Sequence, residues 1–192
     1  MSVRAFAFVA TLLLVACAPP ARDAAVGMSV VQSLDLPRYM GRWYEIARIP
    51  NSFEKGCAGV TADYALQDDG TIRVVNSCHS GDVDGPLRQI EGQARVVAPG
   101  KLKVGFVKWL PFAEGDYWLL DVAPDYSVAV VGAPKGNFGW ILARSPAISP
   151  KAMQAAVAVM AANPSCIKRP IVEYAGGILV GFKEADWAAA FG

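Results

Sequence analysis

Few side chains in this 192-residue chain could carry reaction chemistry, and their spacing argues against most of it. His79 is the single histidine, so any Ser-His or Cys-His mechanism would have to use it; beside a glycine-rich loop it reads as a solvated loop residue. Cys57, Cys78 and Cys166 together with His79 are soft ligands of the kind zinc takes. Cys78 and His79 are adjacent, however, and in a strand would point to opposite faces. Two carboxylate pairs suggest acid–base work, but Asp68 and Asp69 sit in a tight turn, and Glu45 and Glu54 bracket a strand. No G-x-S-x-G, Walker loop, H-E-x-x-H or dinucleotide fingerprint occurs. The expectation is a protein that is not an enzyme, with no catalytic residue, metal or cofactor.

Composition then limits the classes that remain. At 54% hydrophobic and 18% charged residues, the chain has material for one domain with a substantial core and not for a second. A net charge of +1 gives no basic footprint for nucleic acid. The first residues, MSVRAFAFVATLLLVAC, hold one basic residue and an apolar run too short to span a bilayer comfortably, which reads as a secretory signal.

The stretch from Gly41 to Cys57, GRWYEIARIPNSFEKGC, organises the rest. Gly41 permits close backbone passage, and Trp43, two residues on, shares its face in a strand and is large enough to plug one end of a closed sheet. Val60, Ala62, Tyr64 and Leu66 then alternate with mainly polar neighbours; Asp68-Asp69-Gly70 turns the chain, and Ile72, Val74 and Asn76 continue the alternation as a β-hairpin. Ile90, Gly92, Ala94 and Val96 oppose Gln89, Glu91, Gln93 and Arg95. Further strands are expected over 102–109, 116–123, 126–132 and 138–144. Eight antiparallel strands make a barrel or a sandwich. A barrel of eight removes both unpaired edges and holds one small ligand.

A helix follows: Ser149 caps it, Pro150 suits its first turn, Met153, Ala156, Val157 and Met160 share one face, and Asn163-Pro164 stops it. That stripe is read as packing on the outside of the barrel. Ile171 to Tyr174 is a candidate short final strand. The tail, 177–192, is more apolar than a solvated tail and is expected to pack on the barrel, a homodimer contact being the alternative.

The run G-x-W-Y-E-I-A-R-x-P with F-E-x-G after it resembles the first signature of the lipocalins, most closely their bacterial outer-membrane and apolipoprotein D branches. LDVAPDYSVAVV, with Asp125 and Tyr126, is similar to the second motif, and WILARSP, with Arg144, to the third. The resemblance decides for an all-β, eight-stranded antiparallel up-and-down barrel with one C-terminal helix outside it. It implies that Gly41, Trp43, Asp125, Tyr126 and Arg144 are structural, with Arg144 packed across Trp43. Leu14-Val15-Ala16-Cys17 resembles a bacterial lipobox, which implies cleavage before Cys17, lipid on that cysteine and sorting to the outer membrane of the cell envelope. The expected divisions are therefore a lipoprotein signal peptide over 1–16, a lipid-anchored tether over 17–33, the barrel over 34–176 and the tail over 177–192.

Lipidation of Cys17 leaves an odd number of cysteines. A Cys57–Cys78 disulfide is favoured, with Cys166 unassigned. Pairing Leu66 with Ile72 sets Cys78 opposite Val60, three positions from Cys57, so the bridge requires the first loop to fold back.

The resemblance implies an apolar or amphiphilic ligand, a fatty acid or lysophospholipid, stored or transported in the barrel. By strand parity its wall is Tyr64, Val74, Ile90, Phe106, Trp118, Trp140 and Leu142, with a charged headgroup left at the mouth beside Lys108 or Arg88. The alternatives are an isomerase or de-epoxidase on the same barrel, with Cys78 as its thiol, and a structural envelope lipoprotein whose barrel is filled by side chains.

Overall fold

The alternation read along the chain becomes eight strands in the computed structural model, which describes residues 27–107, 113–135, 138–163, 171–174 and 177–180, the last two segments as backbone. The strands are β1 (Gly41–Arg48), β2 (Cys57–Leu66), β3 (Ile72–Ser80), β4 (Leu87–Ala98), β5 (Lys101–Gly105), β6 (Glu114–Val122), β7 (Val128–Gly132) and β8 (Gly139–Ala143). Each pairs antiparallel with the next, and β1 pairs with β8, so the sheet closes on itself and buries both of its edges.

A short helix, α1 (Leu36–Tyr39), precedes β1 and was not anticipated. Asp35 caps it by accepting from the Arg38 backbone N–H, and the amide of Asp35 donates to the Tyr126 hydroxyl. Tyr39 and Trp43 are thereby delivered, fully buried, to one end of the barrel. Gly41 between them has φ +89°, the left-handed region where a side chain would be strained.

The outer helix, α2 (Pro150–Ala162), starts where Ser149 Oγ accepts from the Ala152 backbone N–H. Met153, Ala156 and Met160 are buried against Ala47, Leu120, Val130 and Ile141 on the outside of the barrel wall. Asn163 ends the helix with its side-chain amide donating to Val159 O at 2.8 Å and its Oδ1 accepting from Ser29 N at 3.0 Å.

That last bond ties the end of the segment expected as tether to the barrel, for Val31 N also donates to Leu119 O at 3.0 Å, and Met28, Val30 and Val31 pack against the two apolar cores. A Cβ on Gly100 would fall 2.4 Å from Val31 O, so that glycine exists to let the segment pass. The physical reason is burial: these apolar side chains gain more against the wall than in water. Residues 17–26, including Cys17, lie outside the described residues, as do Lys108 and Cys166.

The described part of 177–192 joins the sheet. Gly177–Val180 forms strand β10, paired with β9 (Ile171–Tyr174), which meets β1 where Glu173 faces Arg48. The remainder of that tail lies outside the described residues.

Candidate functional site

The barrel encloses a cavity of about 630 Å³, well within the range of small-molecule sites. One end is sealed. Trp43 Nε1 donates to Tyr39 O at 2.8 Å, and the Arg144 guanidinium carbon stands 3.9 Å from the indole centroid on the solvent side. Above this plug, the hydroxyls of Tyr64 and Tyr39 both meet that of Tyr117, at 3.1 and 2.8 Å. Burial pushes the Tyr64 phenol up to about 12 and those of Tyr39 and Tyr117 well above their ordinary value, so all three stay neutral.

The other end is open, with Phe53, Glu54, Arg88 and Phe138 among the described residues that line it. Tyr64, Val74, Ile90, Phe106, Trp140 and Leu142, six of the seven wall residues expected from parity, line the cavity. Ile90 is nonetheless 52% exposed, which places it at the mouth and not in the core.

Trp118 is the seventh, and it faces outward. Register explains this: Trp118 pairs with Lys101 and Asp116 with Lys103, and cross-strand partners share a face. Lysine requires water, so that face is the outside. There Lys101 Nζ lies 4.1 Å from the Trp118 ring centroid, while Asp116 binds Lys103 at 2.7 Å. Tyr117 takes the inward position instead. The signal was in the sequence, since Glu114 and Asp116 have the parity of Trp118 and mark it as the wet face.

Cys57 and Cys78 form a disulfide across the β2–β3 hairpin near the mouth, with their Cα atoms 5.4 Å apart. Leu66 does pair with Ile72, but the register slips between Ala58 and Thr61, so that Cys57 faces Ser80. A bulge at Gly59, φ +57°, thus brings the cysteines together; the loop does not need to fold back. His79 is likewise not in a solvated loop. It lies in β3, half-buried, its Nδ1 2.8 Å from Gly85 O. Among the described residues, no three of His, Cys, Asp and Glu converge as metal ligands.

Glu45 and Glu54, read as bracketing a strand, meet on the cavity wall, where Arg48 Nη1 holds Glu45 at 2.6 Å and Arg48 Nε lies 3.9 Å from Glu54. Asn51 and Trp140 Nε1 donate to Glu54 as well, the latter at 3.3 Å. Only 6% of the Glu45 side chain is exposed. Burial first, and the facing Glu54 second, push its carboxyl up to about 8. At neutral pH Glu45 therefore keeps its proton, held against Arg48. The cavity is apolar below and polar at its rim, a shape for an amphiphile.

A family model described as a lipocalin-like domain matches residues 34–167. A second, for the ArsC family, matches only 151–190, over α2 and the residues after it. The chain is 40% identical over 153 residues to the outer membrane lipoprotein Blc of Escherichia coli K12, covering 78% of this chain and 83% of that one. It is 38% identical over 127 residues to apolipoprotein D of Macaca fascicularis, covering 60% of this chain and 64% of that protein. Insecticyanin of the tobacco hornworm superposes with a TM-score of 0.57 at 23% identity, over 83% of this chain and 86% of that one, which is a likeness of fold.

Proposed function

The chain belongs to the lipocalin family, and from that premise we propose that it is a lipid carrier: it binds a long-chain fatty acid or lysophospholipid in the barrel and is held at the outer membrane through lipid on Cys17. The observation that carries the reading is the 630 Å³ cavity itself, closed by Trp43 below and open above. Its lower wall of Val74, Val104, Leu142 and Phe106 stabilises an acyl chain by about 0.8 kcal/mol for each methylene buried. A charged headgroup loses too much hydration to follow, so it stays at the rim, where Arg88 borders the cavity. The anchoring part of the reading draws support from the lipobox-like Leu14-Val15-Ala16-Cys17 and from the name of the 40% identical relative.

Two features weigh against the alternatives. Cys78 is bonded to Cys57, and a disulfide sulfur is not the thiolate that an isomerase of this kind would use. A structural lipoprotein would have no use for an open, unfilled interior.

Titration of delipidated, folded protein with saturated fatty acids of increasing length, followed by tryptophan fluorescence and by displacement of a fluorescent fatty acid, tests the reading. One-site affinity should climb with chain length and then level off. Absence of saturable binding at every length would overturn the carrier function.

A further inference from the structure

The cavity stops short of the tryptophan plug, and one strand is bare where it stops. On β3, β5 and β8 the lining residues nearest the sealed end are Val74, Val104 and Leu142, and below them Ile72, Ala94 and Leu102 belong to the packed core. β4 brings no side chain to this level: Gly92 pairs with Val74 and lies on the inner face between Ile90 and Ala94. A glycine inside a strand weakens it and marks a close approach. Here the approach is made by the end of β5. A Cβ on Gly92 would fall 2.6 Å from Gly105 O, 2.6 Å from Phe106 Cδ1 and 2.9 Å from Phe106 Cε1. Gly105 pairs with Gln93, so Phe106, the next residue, leaves the sheet at the height of Gly92 and lays its ring edge over the bare backbone. The ring lines the cavity and packs on the core beneath it. Val74 and Val104, its lining neighbours on this side, are small. Phe106 therefore supplies most of the bulk that ends the cavity on the β3–β5 side, and Gly92 is the space into which that bulk withdraws.

We propose that Phe106 is the residue that sets the chain-length limit of the ligand, and that Gly92 sets where its ring stands. This deepens the carrier reading and rests on it. An acyl chain entering from the mouth gains by each methylene it buries until its end meets this ring. Bulk at position 92 would drive the ring into the lumen and bring the limit to shorter chains. Removal of the ring would leave a void at the floor, which the core fills only in part and which further methylenes can occupy. The two changes act in opposite directions, which a loss of stability alone does not produce.

The test measures one-site affinities across the saturated fatty acid series, below the micelle threshold of each, on wild type, Gly92→Ala, Phe106→Ala and the double variant. In Phe106→Ala the plateau should move to longer chains, each methylene beyond the wild-type limit tightening binding by about fourfold. In Gly92→Ala it should move to shorter chains, and chains at the wild-type limit should weaken by about fourfold for each methylene displaced. The double variant should follow Phe106→Ala, because without the ring the added Cβ has nothing to push into the lumen. Should Phe106→Ala fail to fold, Phe106→Leu, which keeps an apolar side chain but no ring, should give the same shift over a shorter range. A plateau that stays at the wild-type length without the ring, a move in the same direction in Gly92→Ala and Phe106→Ala, a double variant limited as Gly92→Ala is, or equal loss at every length would overturn the role of Phe106 and leave the carrier reading intact. Absence of saturable binding by wild type at every length would remove both.

Discussion

Arg144 covers Trp43 with its guanidinium 3.9 Å from the indole centroid and at the same time donates to two backbone carbonyls, Arg38 O at 2.7 Å and Arg42 O at 2.8 Å. One side chain from the end of β8 thus ties the end of α1 to the start of β1 and shields the plug from water. Burial lowers the affinity of this guanidinium for its proton, yet it remains charged. Trp43→Ala should cost about 3 to 5 kcal/mol in urea denaturation, as for other large buried aromatics. Arg144→Ala should cost less, about 1 to 2 kcal/mol. Arg144→Lys should recover little, because a lysine cannot reach both carbonyls and lie flat on the ring. Unchanged stability in either alanine variant, with ligand binding abolished, would show that the pair serves binding and not packing.

Glu45 predicts a pH dependence of stability whose sign follows from its environment. The folded protein holds the Glu45 proton up to about pH 8, whereas the unfolded chain releases it near its ordinary value of 4.5. Between these limits the native state binds more protons, so stability is greatest below the lower value and falls as pH rises through the upper one. The slope in this window is at most ~1.4 kcal/mol per pH unit. Glu45→Gln keeps a polar partner for Glu54 and removes the titrating group. Urea midpoints measured from pH 5 to pH 9 should decline in wild type and flatten in the variant; parallel curves would exclude Glu45 as the source.

The disulfide closes the hairpin beside the mouth, and its sequence separation of 21 corresponds to about 3 kcal/mol in the loop-entropy model. Cys57→Ser combined with Cys78→Ser should lower stability by that amount without unfolding the barrel. In native wild type, neither cysteine should react with iodoacetamide until a reductant is added. Ready alkylation without reductant would return Cys78 to candidacy as a reactive thiol.

Anchoring is tested independently of binding. Cys17→Ser should abolish lipid attachment and move the protein from the membrane fraction to a soluble or uncleaved form. Mature variant protein that still sediments with the outer membrane would refute lipidation at this site.

That the sheet closes as a barrel and not a sandwich came from the motifs around Trp43, Tyr126 and Arg144 that resemble a known family; the strand segments, the closing tryptophan, the β2–β3 pairing of Leu66 with Ile72 and the helix cap at Ser149 were legible residue by residue. Each depends on residues within a few positions of one another: period-two alternation, a turn at Asp69-Gly70, a serine before a proline. The acid pair was not legible, because Glu45 and Glu54 meet only when the loop after β1 folds over the wall, and nothing local encodes that contact. Nor was the route by which Cys57 reaches Cys78, since one bulged residue at Gly59 shifts every pairing beyond it. Trp118 and Tyr117 changed places because parity alone leaves a strand two faces: Glu114 and Asp116 mark the wet one within the strand, and Lys101 and Lys103 across the pairing share it. Val31 too escaped a local reading, its apolar neighbours coming from β6 and the turn at Gly100, far along the chain. Local chemistry determined which segments become strands and helix; register and long-range burial decided which side chains look into the cavity, because a shift of one residue exchanges the inside of a barrel for its outside.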